Sequence, residues 1–279
     1  MNTVIILPAY NVEEKVNAVL RGLQQYRSRV LFVDDGSTDN TYNVIQNAGY
    51  QCIRYEKNKG VAAALLKGMQ WSLEHDYDAA VILDSDGQHD PKFIPAFEEK
   101  LQDNELVTGN RFHDFSVIPS NKLASNATIS IVLKKMYGIN MLDVSCGYKA
   151  FRLEPWVIET VANANGYSII YDIYFRALME HRKVDIVNVP CIYPSNELQC
   201  TKRNELLGFF KTMREALQLQ NVEQINFDEI CGKVSYREDF ILKIYEYTFY
   251  GFYLGNYDGY ILQTDMVQLQ EHFNSLLIK

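Results

Sequence analysis

Two carboxylates one residue apart follow directly after an apolar run in the first third of the chain. The run ends at Leu83 and leads into Asp84-Ser85-Asp86, a pattern typical of a buried strand that stops at the open edge of a sheet. Two hard oxygen donors at such an edge suit a divalent cation, Mg²⁺ or Mn²⁺, that holds a diphosphate. An isolated D-x-D is more often a polar turn after a strand, so other features of the chain must decide between these interpretations.

Polar side chains also follow two earlier predicted strands. Tyr10 and Asn11 come after a strand predicted at 3–7, and Asp35 comes after one predicted at 30–33. Parallel strands end at the same edge of a sheet, so these groups can converge on one ligand. A carboxylate after the second strand can bond to a base or ribose, while a cation at the D-x-D neutralises a diphosphate. Together the three strand ends predict a nucleoside-diphosphate site, although each motif alone could be a turn or a helix cap.

The segments that must position these groups alternate between strand and helix. This alternation predicts an α/β fold with a mostly parallel central sheet and helices on both faces. Ser37 or Thr38 is expected to cap the second helix, and the segment 146–152 is expected to be an irregular, site-building loop. We expect one α/β domain at 1–221 and a small, aromatic-rich, helical extension at 222–279. The further strands are predicted at 52–55, up to Asp84, 106–109 and 184–193, and the helices at 13–25, 38–48, 60–75, 91–102, 121–137 and 167–182.

Composition excludes several classes of protein. The 279 residues carry 27 Lys and Arg against 35 Asp and Glu, a formal charge of −8, which argues against a nucleic-acid binder. The five cysteines include no C-x-x-C pair, so we expect reduced cytosolic thiols rather than disulfides or a zinc site. The sequence contains neither a signal-peptide pattern nor an apolar run long enough to span a bilayer. We therefore expect a cytoplasmic protein that meets a membrane, if at all, from the surface.

Four motifs in order resemble those of a known enzyme family. P-A-Y-N at 8–11, V-D-D-G-S-T-D at 33–39, N-K-G at 58–60 and D-S-D-G-Q-H-D-P at 84–91 resemble family 2 glycosyltransferases of the GT-A fold. Within that family, roughly the first 200 residues are similar to the branch of dolichol-phosphate mannose synthases and polyprenyl-phosphate glucosyltransferases. The resemblance implies a metal-dependent, inverting transfer of a sugar from a UDP- or GDP-sugar. It also implies polyprenyl phosphate, at the cytoplasmic face of the membrane, as the favoured acceptor.

The resemblance further implies roles for individual residues. Asp39 would support the loop after the second strand, and Asp84 and Asp86 would hold the metal. Arg111, Lys149 and Arg152 match later family segments and would pair with phosphate oxygens, with solvated surface charge as the alternative. If the acceptor is a hydroxyl, Asp172 or Asp143 would be the base. The residues implied around the nucleotide-sugar are Pro8, Ala9, Tyr10, Glu13, Asp35, Asn58, Gly60, Asp84, Ser85, Asp86 and Gln88.

Some segments depart from the branch or allow a second interpretation. Asp172 stands where the branch has Glu, and the loop at 193–202 keeps only Thr201 and Lys202 of an R-x-x-G-x-S-K pattern, so Lys202 is expected at the acceptor phosphate. An apolar stripe at 206–217 predicts packing on the core or peripheral contact with a membrane. The aromatic residues at 245–260 would cover a sugar acceptor or a partner, or form a small core or a homo-oligomer contact.

Three other activities compete with this one. The acceptor could be a hydroxyl of a glycan, lipid or protein, or the chain could be a non-catalytic nucleotide-sugar binding module. Sugar-nucleotide nucleotidyltransfer needs a Gly-rich phosphate loop with a basic residue near the N-terminus, which residues 8–11 do not supply.

Overall fold

A computed structural model describes residues 1–111, 113, 143, 145–164 and 169–192. The chain divides into two compact units, Met1–Asn110 with Cys146–Ile192, and Arg111–Ser145 with Tyr193–Lys279. The helix predicted at 121–137, Lys202 and the extension at 222–279 lie outside the described residues. The domain boundary at 221 therefore stays a prediction. Within the described residues, no helix is long and apolar enough to cross a membrane.

The first unit is built on a seven-stranded sheet in the order β3-β2-β1-β4-β6-β5-β7. Strands β1, β2, β3 and β4 pair in parallel, and β5 pairs in parallel with β7. Strand β6 runs antiparallel to both β4 and β5, so six strands run one way and one runs the other. This confirms the predicted mostly parallel sheet. The strands span Thr3–Ala9 (β1), Val30–Asp34 (β2), Gln51–Arg54 (β3), Ala79–Ile82 (β4), Leu106–Asn110 (β5), Lys149–Arg152 (β6) and Val184–Asn188 (β7).

Helices cover the sheet because its central strands are apolar on both faces. Phe32 packs in a cluster with Val16 of α1 and Phe97 of α4, whereas Gly68 of α3 lies against Ile6 and Val33 from the other face. A Cβ atom at Gly68 would come 2.7 Å from Ile6 Cγ2, so the small residue lets α3 approach the strands closely. The helices span Glu13–Gly22 (α1), Thr41–Asn47 (α2), Val61–Glu74 (α3), Ile94–Lys100 (α4), Pro155–Asn163 (α5) and Ile169–Met179 (α6).

Several local predictions were wrong. The strand predicted at 184–193 ends at Asn188. Helix α1 ends at Gly22 and a 3₁₀ helix follows over Gln24–Arg29, instead of one helix that reaches residue 25. Helix α2 begins at Thr41, so neither Ser37 nor Thr38 caps it. Asn40 holds the N-cap position, but its side chain accepts a hydrogen bond from Asn43 Nδ2 instead of capping a backbone amide. The segment 146–152 is not wholly irregular, because its second half forms β6. The stop of α2 before Gly49, which has a φ of 76°, agrees with the prediction.

The reversed direction of β6 determines what its ends contact. Lys149 pairs with Ile82 at the carboxyl end of β4, and Arg152 pairs with Ala79 at the opposite end. The residues just before β6 therefore reach the edge where β4 ends. Arg152 lies three residues further along the strand, about 10 Å from that edge at the usual rise per residue.

Candidate active site

A cleft of about 490 Å³ lies at the carboxyl ends of β1, β2 and β4. Because these strands are parallel, the loops that follow them open on the same side of the sheet. The volume is within the range of small-molecule sites. The cleft is lined by Pro8, Ala9, Tyr10, Val12, Asp35, Asn58, Gly60, Val61, Leu65, Ile82, Leu83, Asp84, Ser85, Asp86, Gly147, Ile169 and Ile170.

Two successive aspartates at the end of β2 have different roles. Asp34 is fully buried; its Oδ2 lies 2.8 Å from Arg54 Nε, and its Oδ1 accepts a hydrogen bond from the Ser37 amide. Asp35 lines the cleft, and its two oxygens accept the backbone amides of Lys59 and Gly60, each at 2.8 Å. Asp35 therefore fixes the loop that leads into α3. Each carboxylate oxygen has a second lone pair, so Asp35 can still accept a hydrogen bond from a ligand.

A set of reciprocal hydrogen bonds, which we call the latch, joins residues 11–13 after β1 to residues 37–41 after β2. The amides of Asn11, Val12 and Glu13 donate to Ser37 Oγ, Thr41 Oγ1 and Asp39 Oδ2, at 3.0, 2.8 and 3.1 Å. In return, Asn11 Oδ1 accepts the Thr38 amide and Glu13 Oε2 accepts the Asn40 amide. Asp39 Oδ1 also accepts the Thr41 amide.

The latch satisfies backbone groups that two short loops would otherwise leave unpaired. It also holds Asn11, the residue after Tyr10, in a left-handed backbone conformation with a φ of 51°. Tyr10 keeps 45% of its surface exposed at the cleft. Glu13, predicted to border the nucleotide, has its Oε2 engaged in the latch, and Asp39 supports the loop in the way its position in the motif suggested.

The two carboxylates of the D-x-D pattern lie in the cleft at the end of β4. Ser85 between them is buried and donates to the Pro8 carbonyl at 2.7 Å, which ties this loop to β1. Asp86 Oδ1 accepts the Gln88 amide at 2.9 Å. Burial and the negative charge of Asp84 raise the pKa of Asp86 above its usual value. Two carboxylates that repel each other in a cleft are a suitable environment for a divalent cation.

Gly147 closes the cleft beside Asp84. A Cβ atom at this position would lie 3.0 Å from Asp84 Oδ2 and 3.2 Å from His89 Cε1. Lys149 holds this turn from behind: its Nζ donates to the Cys146 carbonyl at 2.8 Å and to Thr108 Oγ1 at 2.9 Å. Glycine therefore lets the chain pass close to the carboxylate, and a larger residue would require Asp84 or His89 to shift by a few tenths of an ångström.

Lys149 and Arg152, two basic residues predicted to bind phosphate oxygens, lie on β6 and contact protein groups instead. Lys149 is fully buried, with its ammonium group on Cys146 and Thr108, so no phosphate can reach it in this structure. Arg152 lies at the far end of β6 and donates to the carbonyls of Leu101 and Gln102. The predicted phosphate contacts of both residues are therefore corrected to structural roles. Lys202 lies outside the described residues.

Helix α6 contributes an apolar wall. Ile169 and Ile170 line the cleft, and Asp172 lies half-buried in the same first turn, three residues after Ile169 and on its face of the helix. Burial and the negative charge of Asp172 raise the pKa of Tyr171 to about 12. The structure thus brings Asp172 within one helical turn of the cleft, next to its lining rather than in it.

In the second unit, Arg111 and Asp143 form a buried, bidentate ion pair. Arg111 Nε and Nη2 donate to Asp143 Oδ2 and Oδ1 at 2.7 and 2.8 Å, and the Arg111 amide donates to Oδ2 at 2.9 Å. Arg111 Nη2 also donates to Ser145 Oγ. Two residues predicted to act separately therefore act as a pair, in which the carboxylate holds the guanidinium in place.

Sequence reasoning found the polar residues of the cleft and missed its apolar walls. Two residues predicted at the nucleotide-sugar, Glu13 and Gln88, are not part of the cleft lining. The predicted residues that do line it are Pro8, Ala9, Tyr10, Asp35, Asn58, Gly60, Asp84, Ser85 and Asp86. Leu65, Ile169 and Ile170 were missed, because an apolar residue in a helix carries no signal that separates a ligand pocket from the core. Gly147 was within a matched family segment, but only its distance to Asp84 shows what it does.

Comparisons with known proteins identify the family of the chain. Residues 4–156 match the model of the family described as glycosyl transferase family 2. The chain is 29% identical over 215 residues to the undecaprenyl-phosphate mannosyltransferase of Micrococcus luteus, covering 71% of this chain and 86% of that protein. It is 31% identical over 229 residues to the UDP-N-acetylglucosamine–dolichyl-phosphate N-acetylglucosaminyltransferase of Methanococcus voltae, covering 74% and 91%.

A solved structure has the same fold. The glucosyl-3-phosphoglycerate synthase of Mycobacterium tuberculosis, crystallised with Mn²⁺, UDP-glucose and phosphoglyceric acid, superimposes with a TM-score of 0.61 at 17% identity, covering 78% of this chain and 80% of that one. This likeness confirms the predicted GT-A fold. The family match spans more than half of the 279 residues. The chain belongs to glycosyl transferase family 2.

Proposed function

We propose that this protein transfers a sugar from a nucleoside-diphosphate sugar to a polyprenyl phosphate, with inversion at the anomeric carbon. The observation that carries the proposal is the placement of Asp84 and Asp86 in a cleft formed by the ends of β1, β2 and β4. The relatives from M. luteus and M. voltae, which are named for transfer to undecaprenyl and dolichyl phosphate, support the choice of acceptor.

The donor would lie across the strand ends. Tyr10 is exposed in the cleft and offers an aromatic face to the base, and Asp35 accepts a hydrogen bond from the base or ribose. Helix α3 begins at Val61 in the cleft wall, and its N-terminal dipole favours the anionic part of the donor. Asn58 and Gly60 line the cleft between these two groups.

Asp84 and Asp86 would hold a divalent cation against the diphosphate. Both are hard oxygen donors. Burial and, after it, the negative charge of Asp84 raise the pKa of Asp86, and a cation would offset both effects. When bound, Mg²⁺ or Mn²⁺ supplies positive charge that offsets the charge growing on the leaving nucleoside diphosphate. The solved M. tuberculosis relative was crystallised with Mn²⁺.

The acceptor phosphate is already anionic, so its oxygen can attack the anomeric carbon without a base. The Arg111 guanidinium is held in a fixed position by Asp143, and its role at phosphate oxygens stays a prediction from the family motif. Asp143 has both oxygens engaged by Arg111 and is a positioning partner rather than a proton acceptor. Asp172 would be the base only for a hydroxyl acceptor. Because polyprenyl chains reside in the bilayer, the enzyme would work as a peripheral protein at the cytoplasmic face of the membrane.

Release of nucleoside diphosphate tests the proposal. UDP- and GDP-sugars would be incubated with Mg²⁺ or Mn²⁺, with and without polyprenyl phosphate, for the wild type and for Asp86→Ala. Asp103→Ala is the matched control, since Asp103 is exposed in the turn between α4 and β5. The proposal predicts lipid-stimulated release that Asp86→Ala abolishes and Asp103→Ala retains. Donor binding without release under any acceptor would contradict it.

A further inference from the structure

His89 lies directly behind the proposed metal site and is held rigidly there. It is 4% exposed, and its ring packs on Tyr148 with centroids 5.1 Å apart. Tyr148 in turn stacks on Phe97 at 4.2 Å, and both of these rings are fully buried. A ring enclosed in this way has one orientation in which to act on its neighbours.

The backbone determines which ring nitrogen of His89 carries the proton. Nδ1 lies 3.0 Å from the backbone nitrogen of Asp84 and accepts its N–H. Nδ1 is therefore unprotonated, and in the neutral imidazole the proton is on Nε2. Nε2 lies 3.7 Å from Asp84 Oδ2, so its N–H faces the Asp84 carboxylate. Both ring nitrogens of His89 therefore face the same residue, Nδ1 its amide and Nε2 its side chain.

The carboxylate of Asp84 consequently has two close neighbours, His89 and Gly147. A Cβ atom at Gly147 would lie 3.0 Å from Asp84 Oδ2 and 3.2 Å from His89 Cε1, so both residues crowd the same oxygen. A separation of 3.7 Å is longer than a hydrogen bond, so the Asp84 side chain, which is 46% exposed, would have to move slightly to accept Nε2–H. In that arrangement Nε2–H would hold Oδ2, and Oδ1 would be the oxygen that ligates the cation. Histidine N–H groups and carboxylates in contact with metal ligands commonly set ligand orientation in this way.

We propose that His89 is a positioning residue that sets cation affinity by orienting Asp84 through Nε2–H. The inference rests on the proposed function, since it needs a cation at Asp84 and Asp86. Its distinctive claim is that the donor at Nε2, and not merely the presence of a buried ring, determines how tightly the cation binds.

Two substitutions separate the two nitrogens of His89. The Oδ1 of His89→Asn falls near the position of Nδ1, so this variant keeps the acceptor for the Asp84 amide and loses the donor to the carboxylate. The Nε2 of His89→Gln falls near the position of the histidine Nε2 and keeps that donor. Both side chains are smaller than imidazole, so thermal unfolding would be recorded for each to separate an effect on folding from an effect on the cation.

The experiment measures direct binding of Mn²⁺ in the presence of UDP or GDP. Binding is monitored as a decrease of the free Mn²⁺ signal in electron paramagnetic resonance. We expect His89→Asn to weaken Mn²⁺ binding about 10-fold or more, and His89→Gln to stay closer to the wild type. Asp84→Asn would serve as the reference for loss of a metal ligand.

Two results would overturn the inference in distinguishable ways. If the wild type binds Mn²⁺, Asp84→Asn loses it and a folded His89→Asn retains wild-type affinity, the positioning role is wrong and the proposed metal site stands. If the wild type binds no Mn²⁺ with either nucleotide, the metal site and the role of His89 both fail.

Discussion

At the scale of single residues, the sequence predicted the role of a side chain only where residue type and motif together determine its position. Asp35, Asp84 and Asp86 line the cleft as their strand ends suggested. Lys149 matched a family segment equally well, yet it is fully buried behind Gly147. A lysine in a sequence does not reveal whether its ammonium group faces a phosphate or two protein oxygens, because that depends on strand pairing between distant segments.

Gly147→Ala tests the close approach of the chain to Asp84. The added Cβ would lie 3.0 Å from Oδ2 and must displace the carboxylate or the turn. We expect weaker Mn²⁺ binding and slower sugar transfer, with a modest loss of stability of about 1–3 kcal/mol. Cation titration and chemical denaturation would measure the two effects. Unchanged cation affinity in a folded variant would show that Asp84 tolerates displacement.

Asp39 should make the latch sensitive to acid. Burial tends to raise the pKa of Asp39, but hydrogen bonds from the Thr41 side chain and from the amides of Thr41 and Glu13 outweigh it and hold the pKa below its ordinary value of 3.8. A lowered folded-state pKa stabilises the protein above the unfolded-state value, and this stabilisation is lost as the pH falls through the folded-state value.

Asp39→Asn should therefore lower the unfolding free energy at neutral pH, with a difference from the wild type that shrinks below pH 3.8. Urea unfolding over a series of pH values would measure this. A difference that does not change with pH would contradict the role assigned to the carboxylate charge.

At the scale of elements, the sequence predicted the strands and helices that have clear apolar spacing or are bounded by clear turn residues. β6 and α5 were missed as elements. The four residues of β6, K-A-F-R, carry no alternation that favours a strand, and they form one because β4 and β5 both pair with them. Similarly, serine is a residue that often caps helices, but the Ser37 hydroxyl accepts the Asn11 amide in the latch instead.

Thr41→Val tests the latch with a change of nearly constant shape. The fully buried Oγ1 of Thr41 accepts the Val12 amide at 2.8 Å, and valine leaves that amide without its acceptor. We expect a loss of about 1–3 kcal/mol in unfolding free energy and weaker nucleotide binding, since Tyr10 adjoins the latch. Ser28→Ala is the control: Ser28 is exposed in the 3₁₀ helix and lies outside the latch, so this substitution should change the unfolding free energy by less than about 0.5 kcal/mol. Equal effects of the two substitutions would argue against the latch.

At the scale of the whole molecule, alternating strands and helices predicted the mostly parallel sheet. The order β3-β2-β1-β4-β6-β5-β7 could not be predicted in the same way, because β6 inserts between β4 and β5 from more than 60 residues further along the chain than β4. That insertion brings Gly147 to the end of β4 and so completes the cleft.

The product itself tests the central claim most directly. The protein would be incubated with a UDP- or GDP-sugar and polyprenyl phosphate, and the lipid fraction analysed by mass spectrometry, with polyprenol of equal chain length as the control acceptor. We predict a lipid whose mass increases by one sugar residue on the phosphate, formed by the wild type and Asp103→Ala and absent with Asp86→Ala. Transfer to polyprenol instead, or an unmodified lipid phosphate with every donor that the protein binds, would contradict the account.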